Sequence, residues 1–147
     1  MFICCLMLFG CGGSGNGETK GVVTTAQTGD KIETNLSISD YEIVVEDDFP
    51  VIKKGEENVG YIIFSEKDMY DINKSVKESM DSFEILEQDQ KDGVDYHIYK
   101  FTSSEGIDYG YETIVKDSKT SLELVLFLEE AEALNIIKNI DFKLVEE

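Results

Sequence analysis

Three cysteines and one histidine hold most of the reactive chemistry this chain could offer, and their placement limits it. Cys4, Cys5 and Cys11 all lie in the N-terminal segment, so no distant thiols are left to form a disulfide framework, a zinc cluster or a cysteine nucleophile in the body of the chain. Cys11 follows Leu8-Phe9-Gly10, at the end of an apolar run that starts at Phe2. His97 is the sole histidine and sits between Tyr96 and Ile98 in a strand-like stretch. With no nucleophile motif to partner it, a Ser-His-Asp or metal site would need residues from far along the chain, and a structural or surface histidine is expected. A G-x-S-x-G elbow, a Walker loop, a G-x-G-x-x-G turn and an H-E-x-x-H helix are all absent. Aligning Gly93 with the glycine of an EF-hand loop puts Gln88 and Gln90 at the first and third ligand positions and Tyr99 where the bidentate Glu belongs, so that motif fails. The clusters Glu46-Asp47-Asp48 and Glu66, Asp68 and Asp71 read as solvated charge. Among 31 acidic residues no carboxylate pair stands out for glycoside hydrolysis. The expectation is no catalytic residue, no cofactor, no metal and no enzyme.

The Phe2–Gly10 stretch is shorter than the roughly 20 residues needed to span a hydrocarbon core but matches the h-region of an export signal, about 7 to 15 residues. With Leu8 at minus three and small Gly10 directly before the cysteine, it resembles the lipobox of the bacterial lipoprotein family. That resemblance implies diacylglyceryl (palmitate-type) modification of the Cys11 thiol, removal of residues 1–10 as signal peptide, and an address on the extracytoplasmic face of the bacterial cell membrane. Phe9 is bulky for minus two, and no lysine precedes the run, the first being Lys20. The missing positive n-region implies a start codon upstream of Met1.

Acidic residues outnumber basic ones 31 to 13, every basic residue is a lysine, and the formal charge is -18. Such a surface repels nucleic-acid phosphate and anionic head groups, so neither is expected as a direct partner and the lipid on Cys11 alone would hold the membrane. From Cys11 to about Asn35 the residues are mostly Gly, Ser, Thr and Asn with scattered charges, which reads as a flexible tether. Residues 36–147 then suffice for one domain with its own core.

Within that domain, Tyr41, Ile43 and Val45 alternate as a first strand running into Phe49-Pro50, and Val59 to Phe64 reads as a strand buried on both faces. Ile72, Val76, Met80 and Phe83 recur at helical spacing with Lys74, Lys77, Glu78 and Asp81 between them, predicting a helix whose apolar side packs on a sheet. Asp92-Gly93 marks a hairpin between Phe83–Gln90 and Val94–Thr102. In the next strand Ile107, Tyr109, Tyr111, Thr113 and Val115 share one face, with Asp108, Glu112 and Lys116 on the other. Leu122, Leu124, Leu126 and Leu128 follow with period two, Glu123 facing solvent, before a helix from Glu129 to Asn139 and a short closing strand from Ile140. Tyr109 and Tyr111 are assigned to the core, whereas Tyr99 could be buried or face a ligand. The fold class is α+β, a mainly antiparallel sheet of about six strands with two packed helices in the order ββαββββα(β).

The strand into Phe49-Pro50, the early amphipathic helix, the antiparallel meander and the last helix ending in Ile136-Ile137-Lys138-Asn139-Ile140-Asp141-Phe142 together resemble PsbP-like domains. The resemblance implies an α/β/α layering over roughly residues 40 to 145 and carries no functional residue. Two functions fit these readings: a non-catalytic binding or accessory domain for an envelope protein, or a small-ligand or cation-binding lipoprotein accessory to a transporter. A filled core with an exposed apolar patch separates the first from the second, which needs a polar-lined pocket. Cys11→Ser is expected to abolish labelling by a fatty-acid probe in the native host, and equal labelling of the variant would refute the lipid site.

Overall fold

Apolar and polar residues alternate along most of this chain, and strands are the result. A computed structural model describes residues 20–146. The apolar run, Cys11 and residues 12–19 of the expected tether lie outside them. The elements are β1 Lys20–Thr25, β2 Lys31–Leu36, β3 Glu42–Glu46, β4 Phe49–Lys54, β5 Glu57–Glu66, α1 Met69–Ser79, β6 Phe83–Lys91, β7 Val94–Ser103, β8 Gly106–Ile114, β9 Thr120–Leu126, α2 Glu130–Asn139 and β10 Ile140–Leu144. The α+β class, the antiparallel pairing and the two helices are as expected. Seven strands form one sheet in the order β3-β4-β5-β9-β8-β7-β6, and three form a second in the order β1-β2-β10. No helix among the described residues is long and apolar enough to cross a membrane.

The ten strands exceed the six anticipated, for identifiable reasons. Residues 20–35, assigned to the tether, instead form most of a hairpin, β1 with β2. The inward series of β2 is Ile32, Thr34 and Leu36, all 0% exposed, and the threonine conceals the alternation. Tertiary contacts fix this hairpin: the Asp30 carboxylate accepts from the Lys119 backbone N–H and the Thr120 hydroxyl, each at 2.8 Å, and β10 pairs along β2. β4 was hidden by Pro50, which pairs with Val45 before the ladder to β5 begins at Val51. Asp92 and Gly93, with φ of 53° and 80°, make the expected tight turn between β6 and β7.

Register sorts the central sheet into two unlike faces. On one, Ile62, Leu124, Tyr111 and Ile98 are successive neighbours across β5, β9, β8 and β7. This apolar face joins Ile32, Leu36 and Ile140 of the small sheet and Ala133, Ile136 and Ile137 of α2 in one core. On the other, the row one residue along reads Ile63, Glu123, Glu112, His97 and Gln88, from β5 to β6. α1 covers that polar row. Ile63 is 38% exposed, so β5 is not buried on both faces as its composition suggested. Leu124→Ala and Ile137→Ala should each cost about 2 to 5 kcal/mol and lower the urea midpoint, whereas Lys143→Ala on the surface should stay within about 0.5 kcal/mol. Equally mild effects from all three would overturn this core.

Candidate functional site

The polar row beneath α1 gathers Glu112, Glu123 and His97 against Lys77, and the helix is oriented by it. Ile72, Val76 and Met80, expected to pack inward, are 52%, 50% and 45% exposed, while Tyr70 and Lys77 are the helix's buried residues. Seven residues apart, these two lie two turns from each other on the same side. The sheet surface they meet carries carboxylates and imidazole, so a tyrosine and a lysine satisfy it and aliphatic side chains would not.

Lys77 is the centre of the network. Its Nζ contacts Glu112 Oε1 and lies 2.6 Å from Glu123 Oε2. The two carboxylates come from directly opposed residues of β8 and β9, an arrangement that repels unless a cation sits between them. Glu112, expected on the face opposite Tyr109 and Tyr111, is 1% exposed, and Glu123, expected on the surface, has a side chain only 25% exposed. The Tyr99 hydroxyl donates to Glu123 Oε2 at 2.9 Å. Tyr99 reaches it because its ring crosses Gly110, its neighbour on β8, where a Cβ would collide with the ring. That tyrosine is buried, which resolves its open assignment in favour of packing. The rings of Tyr99 and Phe83 also flank the ammonium, with centroids 4.6 and 5.7 Å from Nζ.

His97 completes the row, fully buried. Its Nδ1 is 3.0 Å from the Tyr70 hydroxyl, and its Nε2, which has no hydrogen-bond partner, is 3.7 Å from Glu112 Oε2. Burial and then the charges of Lys77 and Lys74 lower its pKa to about 4, so the ring is neutral at physiological pH. Burial also raises the Tyr70 and Tyr99 hydroxyls well above the usual tyrosine range. The arrangement offers an amine, two carboxyls and a neutral imidazole in one nearly closed chamber. It can hold or relay a proton among its own groups.

The other candidates from the sequence do not join this site. Asp47 and Asp48, with φ of 51° and 69°, form the tight turn between β3 and β4, and Glu46 pairs with Lys53 at 2.6 Å. Among the described residues no three His, Cys, Asp or Glu side chains gather to hold a metal. Tyr109 is buried as expected, and Tyr111 stacks obliquely on Tyr96 at 5.7 Å between centroids. An open cleft of about 350 Å³ lies between β10 and the turn residues Lys91, Asp92, Lys116 and Asp117. Sequence reasoning overlooked Lys77, Glu112, Glu123 and Tyr70 as partners. The one available signal was the i, i+7 spacing of Tyr70 and Lys77, and the same pattern describes an ordinary solvated helix face.

Because the His97 pKa is depressed on folding from 6.5 to about 4, the unfolded chain binds the additional proton between those values. Its contribution to stability is therefore full above about pH 6.5 and is lost as the pH falls towards about 4. Urea midpoints should drop across this window, and His97→Gln should flatten the drop; an identical profile in the variant would contradict the assignment. No family model, curated protein or solved structure matches this chain.

Proposed function

We propose that this protein is a lipid-anchored extracytoplasmic protein of a bacterial envelope, attached through Cys11, whose domain binds an envelope protein as a non-catalytic accessory. The observation that carries the binding role is the outward apolar stripe of α1. Ile72 and Val76 lie at i and i+4, Met80 follows directly after the last turn, and each is about half exposed, although a sheet surface lies directly beneath the helix. A stripe left outside a filled core is suited to a partner. Asp68, Asp71 and Glu78 stand on the same helix turns. With a formal charge of -18, a second copy would be repelled, so the partner is a different protein that presents an apolar groove bordered by lysine or arginine.

The absence of catalysis is supported by the closure of the polar chamber, in which Lys77 and His97 are both buried beneath α1. The domain layering, α1 on one face of the central sheet and α2 on the other, supports the PsbP-like reading as a proposal about fold alone. The lipid anchor rests on Leu8-Phe9-Gly10-Cys11. A photo-reactive residue at Val76, introduced in the native host, should crosslink to one envelope protein, while the same group at Glu57, on the far β4–β5 turn, should not. No adduct at Val76, or only a self-dimer, would sink the reading and turn attention to the open cleft and its lysines as a small-ligand site.

A further inference from the structure

We infer that Lys77 and Glu112 condense, once the domain has folded, into an intramolecular amide that ties α1 covalently to β8, with Glu123 carrying the proton. Nucleophile and electrophile already touch: Lys77 Nζ contacts Glu112 Oε1, and their side chains are only 8% and 1% exposed. On the other flank of the same nitrogen, Glu123 Oε2 lies at 2.6 Å, itself fixed by the Tyr99 hydroxyl. Beyond the carboxyl, His97 Nε2 lies 3.7 Å from Glu112 Oε2 without any other partner. Nδ1 is 3.0 Å from the Tyr70 hydroxyl, and in the tautomer in which Tyr70 donates to it the imidazole proton is on Nε2 and faces that oxygen. The Tyr99 and Phe83 rings wall the nitrogen from water.

The step needs no oxidant, reductant or activating group. The Lys77 ammonium passes one proton to Glu112 Oε1, leaving a free amine beside a carboxylic acid. The amine lone pair attacks Glu112 Cδ, and charge develops on Oε2, where His97 Nε2–H can stabilise it. Glu123 takes a proton from the nitrogen and returns it to the departing Oε1, which leaves as water while the Cδ–Oε2 carbonyl re-forms. One C–N bond forms and one C–O bond breaks. Fixed placement of the two reactants supplies an effective concentration on the order of 10⁵ to 10⁸ M, which offsets the ordinary reluctance of an amine and a carboxyl to condense. Two facts favour the amide over a persisting ion pair. Burying an ammonium and a carboxylate is costly even when they are paired, and the amide removes both charges. The water released also leaves a buried site for bulk solvent.

The test is peptide mapping of the folded full chain after tryptic digestion. An amide blocks cleavage after Lys77, so Ser75–Lys91 and Phe101–Lys116 should appear as one branched peptide, lighter than their sum by one water. Separate Ser75–Lys77 and Phe101–Lys116 peptides from a folded chain would overturn the proposal and leave a buried ion pair. Lys77→Arg, which keeps the charge but not the nucleophile, should lose the branch; a branch that persists would also overturn it. Glu123→Gln should slow its appearance after refolding by roughly 10²-fold or more, and an unchanged rate would remove Glu123 from the proton transfer.

Discussion

Two glutamates placed directly opposite each other in the middle of a sheet set the constraint on which the rest of this structure depends. Glu112 and Glu123 are cross-strand neighbours on β8 and β9, and Glu112 is sealed from solvent. Left alone they would repel and remain desolvated at a cost of several kcal/mol per charge. Lys77 is the group that makes them tolerable, and it can reach them only if α1 turns its charged side inward. The amphipathic pattern of that helix is therefore inverted relative to ordinary packing. The aliphatic stripe of Ile72, Val76 and Met80 stays outside because the inner position is taken by a lysine.

The same constraint accounts for smaller features of the sheet. Gly110 occupies a strand interior, where a residue without a side chain normally weakens packing, yet here it gives the Tyr99 ring room to cross β8 and bond Glu123. His97 is held neutral by burial among these groups and is orientated by Tyr70 from the helix above. The helix, three strands and six polar side chains are thus mutually dependent. Buried polar networks of this kind favour one arrangement over its alternatives more than they add to total stability.

The opposite face of the sheet follows simpler physics. Leu122, Leu124 and Leu126 meet α2 and the small β1-β2-β10 sheet through apolar contact alone. The N-terminal hairpin docks there through Ile32 and Leu36, and its approach is fixed by the Asp30 carboxylate at the β8–β9 turn. Its hydrogen bonds to that turn hold the Asp30 carboxyl below the usual carboxylate range. In the lipid-anchor reading, the route from membrane to domain is consequently shorter than a tether reaching Asn35 would give.

Local periodicity was enough to establish the α+β class, the Asp92-Gly93 hairpin, both helices and the phase of Leu122, Leu124 and Leu126, because a period of two or 3.6 is a property of adjacent residues alone. The number of strands was not legible: β1 and β2 carry Thr24 and Thr34 at positions that only tertiary packing buries, and Pro50 in β4 masks a strand whose ladder to β5 starts one residue later. Nor was the site. Glu112, Glu123, Lys77 and His97 each look like a solvated or isolated residue in sequence, and the register of β7, β8 and β9 is what aligns three of them in one row beneath α1. Whether a charged side chain faces water or another charge depends on what is packed across from it. That is settled by contacts between residues far apart in the chain, so only the tertiary structure could decide it.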